Sequence, residues 1–497
     1  MNAISSPIIH RSVLTALAVA VACAEPGGHR PGPPTTTTPT PEPPTVVIGA
    51  IAVDPLVAAH HATFEVQADP PAPLELACTA ASDPDERHHG AGPPADPLTL
   101  YGLLASEAYD CVVTAGTASW QGRITTAAPD PLLPALTVAV DRGDSDGAYT
   151  LFNHWAAAGD GDRVLLVDPA GRPRWSWTVD EPVLPDLDAR WLADRGVFLV
   201  GGGSGLNPRF VGLDGAITWT APDLIGGWHH HHVEQLPDGD LAMLGTSRGT
   251  WNGVTFVGAQ IQTLTPFADT VTWSWDGQSA IDAGTLPPSA IERDDAWHAN
   301  ALTFADDADG SAVFVSFKFL NRWVRIDRDT GAITWQLGFV GDFALQDPSG
   351  APLGDAEWFF GQHDPEWDPR TSRLLVYDNG SSRPLGGLPY SRIAEYLLDI
   401  PARTATLTWT WTEPNWYEPY YGDADRLPSG HVLVAMGHCN CVEQVADHHS
   451  AIAEIDPEND EVVWRLETAD PQDGLYRAER IDGCALFANA KYCPAIE

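Results

Sequence analysis

The chain has 497 residues, 44% of them hydrophobic, with 67 acidic against 27 basic side chains and a formal charge of −40. That length allows two or three domains, and that apolar fraction is ordinary for a globular protein. The charge argues against polyanionic partners, because an acidic surface repels nucleic-acid phosphate and anionic lipid.

The first 23 residues read as an export signal. Arg11 precedes an apolar run, Val13 to Ala22, that is too short to span a bilayer. Cys23 follows Ala20-Val21-Ala22, a lipoprotein-type cleavage site, so Cys23 is the expected lipidation site. The chain is then exported and lipid-anchored in the cell envelope, in the periplasm or on the outer membrane. Plain secretion, with Cys23 inside the signal, is the alternative. Residues 24–44 are rich in Pro and Thr, a composition that cannot bury a core and favours an extended tether. No later stretch has the length and hydropathy of a transmembrane helix.

Six further cysteines in an exported chain point to disulfides, with Cys78–Cys111 and Cys484–Cys493 the expected pairs. A bridge between Cys439 and Cys441, one residue apart, would be strained. With His438, His448 and His449 nearby they form a candidate metal site, although the spacing matches no zinc pattern well.

Residues 45–128 alternate apolar and polar in short runs such as Thr63-Phe64-Glu65-Val66 and Leu74-Glu75-Leu76, which predicts strands. Leu104 stands five residues before Tyr109, and Tyr109 two before Cys111. This spacing is similar to the tyrosine corner of fibronectin- and immunoglobulin-like sandwiches. A small structural β-sandwich is expected.

Residues 135–497 repeat one phrase: a strand ending in Asp, a Gly-containing turn, and a strand carrying Trp. The tryptophans are Trp175, Trp219, Trp273, Trp335, Trp409 and Trp464, preceded in several repeats by Asp168, Asp214, Asp327 or Asp456. Leu-Pro-Xaa-Gly recurs at Leu236–Gly239 and Leu427–Gly430, each time before an apolar strand. Self-similarity at this period in an all-β, turn-rich chain predicts a β-propeller, and six tryptophan phrases predict six blades. One Trp per unit reads as packing between blades rather than ligand stacking.

Three histidine phrases stand out: His229 to His232, Asp294 to Asn300 around His298, and Gly361-Gln362-His363-Asp364. In a propeller, equivalent positions of successive blades face one axis, so His231, His298 and His363 are expected to meet in one pocket. For any one of the four successive histidines a solvated loop is the plainer reading. Arg383 and Arg392 read equally well as partners of acids on blade edges, and Asn300 and Asn379 as turn caps.

Four phrases, in order, resemble the bacterial PAPS-independent aryl-sulfate sulfotransferase family over roughly residues 228–466. They are His230-His231-His232 before Leu236–Gly239, Asp295-Ala296-Trp297-His298-Ala299-Asn300, Gln362-His363-Asp364 with Asp378-Asn379-Gly380 and Arg383, and Ser391-Arg392 to Glu395-Tyr396. The resemblance implies sulfuryl transfer from a phenolic sulfate ester to a phenol, with no cofactor and no metal. His363 would form a sulfohistidine, and His298 and His231 would hold the sulfuryl oxygens or protonate the leaving phenolate. His232, Asn300, Arg383 and Arg392 would bind substrate. Where the family carries Arg, this chain has Lys318, in Ser316-Phe317-Lys318, which keeps the charge but loses the bidentate fork.

Residue chemistry agrees. Neutral imidazole is a competent nucleophile, and a neighbouring carboxylate, Asp364 or Asp378, would fix its tautomer. Trp416, Tyr417, Tyr420 and Tyr421 are candidates for an aromatic wall. Two other readings remain: a non-catalytic surface propeller that binds a partner or glycan, and a metal-dependent hydrolase built on His229 to His232 with His298 and His363.

Overall fold

The computed structural model describes residues 52–493 except 95, 144, 146–148, 157–160, 180–185, 204, 224–226, 287–294, 308, 385–388 and 438–448. Cys23, the tether, Asp294 and the candidate ligands His438, Cys439, Cys441 and His448 lie outside the described residues. The chain is all-β with almost no helix. Among the described residues, no helix is long and apolar enough to cross a membrane.

Two small sheets come first. Ala52–Val57, His61–Gln67 and Leu98–Tyr101 make one, and Leu74–Ala80, Arg87–Gly92, Ala108–Ala115 and Ala118–Thr125 the other. The period-2 pattern works as expected: Leu74, Leu76, Cys78 and Ala80 turn inward from one strand and pack with Phe64, Val66 and Leu100 of the other sheet. Cys78 and Cys111 face each other across paired strands and are bonded, and Cys484 is bonded to Cys493. The Tyr109 hydroxyl accepts the Leu104 amide at 2.8 Å, as the spacing predicts. Buried Glu86 receives the guanidinium of Arg174 through Nη1 and Nη2 at 2.5 and 2.9 Å, which fastens these sheets to the first of the larger ones.

Among the described residues, six antiparallel meanders built on four strands follow, and Ala344–Gln346 adds a parallel edge strand to the fifth. Their first strands are Asp188–Leu192, His229–Gln235, Ala299–Asp307, His363–Asp368 and Asp423–Arg426, with Ala478–Ile481 taking that place in the sheet of Tyr149–Trp155. Successive first strands pack side by side around this set. The two ends are exchanged: the late strand Ala478–Ile481 completes the first meander, and the early strand Leu136–Asp141 adds an outer edge to the last.

The repeated tryptophan has a specific task. Trp175 donates its indole N–H to Leu213 O, Trp219 to Asp269, Trp273 to Arg328 O, Trp409 to Asp460 and Trp464 to Pro169 O. In each case the acceptor lies in the Asp-bearing turn, or its equivalent, of the next sheet, and Trp464 of the last sheet reaches back to the first. The sequence phrase is thus donor and acceptor of one inter-sheet latch. Trp335 differs, with the Arg403 guanidinium 5.9 Å above its ring instead.

Candidate active site

The same backbone device recurs in three consecutive sheets. Strand register slips between His229 and Val233, between Ala299 and Ala301, and between His363 and Glu366. At these irregularities His231, His298 and Asp364 take positive φ, at 63°, 50° and 35°. Non-glycine residues rarely adopt that region, and such bulges re-aim side chains. The histidine run is not a solvated loop: His229 to His232 are all buried, because their strand packs between the first strands of the two adjacent sheets.

The result brings His231, His298 and His363 together, with one ring nitrogen from each within 4.8 Å of the others. The His231 ring lies edge-on to His298 at 4.8 Å and stacked with His363 at 6.5 Å, between centroids. Tyr476 closes one side, edge-on to both His231 and His363. Lys318 enters from the turn after strand Gly310–Phe317, where its amide donates to His298 O at 3.0 Å. Its side chain is buried, and burial pushes its ammonium down to about 8. The Lys318 Nζ lies 4.9 Å from the Tyr420 ring centroid.

Hydrogen bonds assign the tautomers. Asn379 donates its amide to Glu418 O at 2.7 Å and Tyr421 O at 2.8 Å, so its Oδ1 is an acceptor. That oxygen lies 2.8 Å from His363 Nδ1, which must carry the proton. The lone pair is then on Nε2, which is buried and has no hydrogen-bond partner among the described residues. Burial, then the Lys318 charge, holds the His363 pKa well below its ordinary value, so the ring is neutral.

His298 is held differently. Its Nδ1 lies 2.5 Å from Asp295 Oδ2, and its amide donates to Asp295 Oδ1 at 2.9 Å. Burial alone would raise the Asp295 pKa, but the hydrogen bonds from His298 together with the nearby His298 and His230 rings outweigh it, and the carboxyl stays below its usual range. Asp186 lies 3.2 Å from His231 Nδ1, and burial, with the neighbouring His298, drives the His231 pKa well down.

Several expected contacts are placed elsewhere. Asp378 does not reach His363: its carboxylate accepts the Phe360 amide, Arg392 Nε at 2.8 Å and Arg383 Nη2. Arg383 and Arg392 are thereby committed to a buried carboxylate rather than to the imidazole cluster, and together they brace the turn that carries Asn379. Asp364 points to Arg477 Nη2, 2.9 Å away, because alternation along the strand turns it from His363. His232 faces Arg477 Nη1 at 2.9 Å, not the three-histidine cluster. Asn300 donates to Gln362 O at 2.8 Å, and its own carbonyl accepts Arg477 Nη2 at 3.0 Å, so it fixes the backbone beside His363. Asn379 is not a mere turn cap. Of the aromatic candidates, Trp416 is buried against Tyr377 and Trp411, whereas Tyr420 is 49% exposed. Phe319, 38% exposed and 5.0 Å from the His298 ring centroid, joins it at the site.

Arg477, Tyr476, Asp186 and Phe319 were missed in the sequence. The first two sit beside the late strand that completes the first sheet, and only that exchange of ends brings them to the histidines.

No curated protein matches the chain in sequence. Among solved structures, a Bacteroides caccae protein of unknown function aligns over 65% of this chain and 94% of its own, at 12% identity and TM-score 0.41. The Pseudomonas aeruginosa periplasmic gluconolactonase PpgL aligns over 82% and 99%, at 15% identity and TM-score 0.33. Likenesses this distant carry nothing about activity. The arylsulfotransferase (ASST) family model matches residues 140–477, which hold all three histidines, Lys318, Asn379 and Arg477. By that match over most of its length, the chain belongs to the arylsulfotransferase family.

Proposed function

We propose that this protein is a PAPS-independent aryl-sulfate sulfotransferase that works through a sulfohistidine on His363. The observation that carries the reading is the unpartnered, lone-pair-bearing Nε2 of His363, set among His231, His298 and Lys318 while Nδ1 is tied to Asn379.

In the first half-reaction Nε2 attacks the sulfur of an aryl sulfate ester in line with the departing oxygen. The S–O bond to the aryl group breaks, and the phenolate takes a proton from His298, whose imidazolium is stabilised by Asp295. Nδ1 keeps its proton on Asn379, so the sulfonated ring is cationic and a good leaving group. In the second half-reaction an acceptor phenol gives its proton to His298 and attacks sulfur, the S–N bond breaks, and neutral His363 returns. Lys318 and His231 face the charge on the sulfuryl oxygens, as transfer through a loose transition state requires. His298, Phe319 and Tyr420 are the more exposed members, and the aryl ring would enter past them.

The six sheets with exchanged ends read as a six-bladed β-propeller, and the two small sheets as a fibronectin- or immunoglobulin-like sandwich in front of it. Export with a lipid on Cys23 follows from the signal-like segment, and mass spectrometry of the N-terminal peptide from membrane fractions checks it. Rapid quench of protein mixed with 4-nitrophenyl sulfate, then peptide mapping under alkaline conditions, tests the mechanism. An acid-labile sulfated peptide containing His363 is expected. Nitrophenol release with no such peptide rules the intermediate out.

The same three imidazoles are a ligand set for a transition metal, so a metal-dependent hydrolase is the second reading. The Lys318 ammonium beside them opposes a divalent cation. Elemental analysis of untagged protein separates the two, since one tightly held transition metal per chain would displace the transferase.

A further inference from the structure

One residue past His363 the chemistry changes sign. Strand His363–Asp368 projects Asp364 and Glu366, two residues apart, and the adjacent first strand Asp423–Arg426 projects Asp423 and Asp425 with the same spacing. The two strands pack against each other, so the period-2 pleat stacks the carboxylates in facing pairs. Asp364, Asp423 and Asp425 each offer an oxygen within 4.8 Å of the other two. Asp188 and Glu479, on first strands across the set, interact with the same group.

The cations do not balance this. Arg477 serves Asp364 and Asp188, and Arg190 serves Asp188 at 3.4 Å. Arg426 turns its guanidinium away to Glu395 and Gly430 O, and only its amide reaches Glu366, at 2.6 Å. Among the described residues, six carboxylates therefore face two guanidiniums. Asp423 adds an independent sign. It is 4% exposed, its Oδ2 accepts the Ala478 amide at 3.1 Å, no N–H or O–H donor among the described residues reaches its buried Oδ1, and its carboxyl lies within hydrogen-bonding reach of the Asp364 carboxyl. Two buried carboxyl groups that close cannot both stay ionised unless a cation lies with them; otherwise they share a proton.

We propose that Asp364, Asp423 and Asp425 form a divalent-cation site of the calcium type. Calcium takes roughly six to eight oxygen ligands at about 2.4 Å, so oxygens on opposite sides of one ion lie about 4.8 Å apart. The all-oxygen donor set suits a hard ion, whereas the neighbouring imidazoles suit softer ones. The ion would tie two adjacent sheets together and neutralise the group that holds Arg477, the residue that also binds Asn300 O and His232. The inference stands whether or not His363 carries a sulfuryl group.

Calcium titration of the chelator-treated full-length protein tests it, by calorimetry and by thermal unfolding. Wild type should bind one Ca2+ per chain and gain about 3 °C in Tm at a hundredfold excess over Kd. D425N, and separately D423N, should weaken binding at least ~10-fold by removing a charged ligand. Neither residue belongs to the transfer site, and Asn at 423 keeps an acceptor for Ala478, so two routes guard against misfolding. Absence of calcium heat and of any Tm change in wild type would overturn the site and leave shared protons as the balance. Equal calcium responses in wild type and both variants would overturn it too.

Discussion

His298 and His363 look into the same small space but are held by opposite kinds of partner. Asp295, an ionised carboxylate, sits behind His298, and Asn379, a neutral amide locked by two carbonyls, sits behind His363. A carboxylate stabilises imidazolium, so His298 suits proton delivery. A carbonyl oxygen fixes the tautomer without favouring the charged form, so His363 keeps its lone pair for attack. On the proposed mechanism, two chemically equal side chains serve as acid and nucleophile because of what stands one hydrogen bond behind them.

Variants can break or sharpen that contrast. The largest effect is expected for H363A, which removes the attacking atom: 4-nitrophenyl sulfate turnover should fall by ~10⁴ or more with circular dichroism unchanged. D295A should cost about 10²-fold, by leaving the His298 imidazolium without its counter-ion. The loss should be steepest for esters of weakly acidic phenols, which a series of aryl sulfates reads as a steeper leaving-group dependence. N379D converts the nucleophile's partner into the acid's. A carboxylate there raises the His363 pKa, so kcat/KM should fall by roughly 10-fold and the acid limb of its pH profile should move upward.

K318R tests the charge. With the ammonium pushed down to about 8, wild-type activity should decline as pH rises through that value, because the deprotonated amine no longer faces the sulfuryl oxygens. Arginine stays charged, so K318R should lose the alkaline limb while its rate at pH 7 changes by less than ~10-fold. The smallest effect is expected for W464F, which removes the latch from last sheet to first. One hydrogen bond is worth about 1 kcal/mol, a Tm decrease of about 1 °C by calorimetry.

Much of this was legible beforehand because it is periodic or local. The tryptophan phrase announced repeated sheets, since a latch made once per unit leaves one donor and one turn per repeat. The Tyr109 spacing follows from local strand geometry, Cys78 faces Cys111 across paired strands, and Cys484 and Cys493 are only nine residues apart. The three histidine phrases were legible because they stand near equivalent strand starts of successive units. The partners were not legible: adjacency nominated Asp364 for His363, but a strand turns neighbours to opposite faces, and the bulge gave the role to Asn379, sixteen residues away. For Arg383 and Arg392 the family phrases imply substrate binding and charge alone allows equally a pairing with acids; burial beside Asp378 gives the pairing.

The repeated strand-rich units, the recurring tryptophan phrase and the three imidazole-bearing phrases were determined by the amino-acid sequence itself, because each is written in spacings of a few residues. The tautomer of His363, the commitment of Arg477 and the meeting of Asp364 with Asp423 and Asp425 were decided only by the tertiary structure. These depend on which faces are buried together and on the exchange of chain ends between first and last sheets. Desolvation and proximity act through space, and no local spacing encodes them.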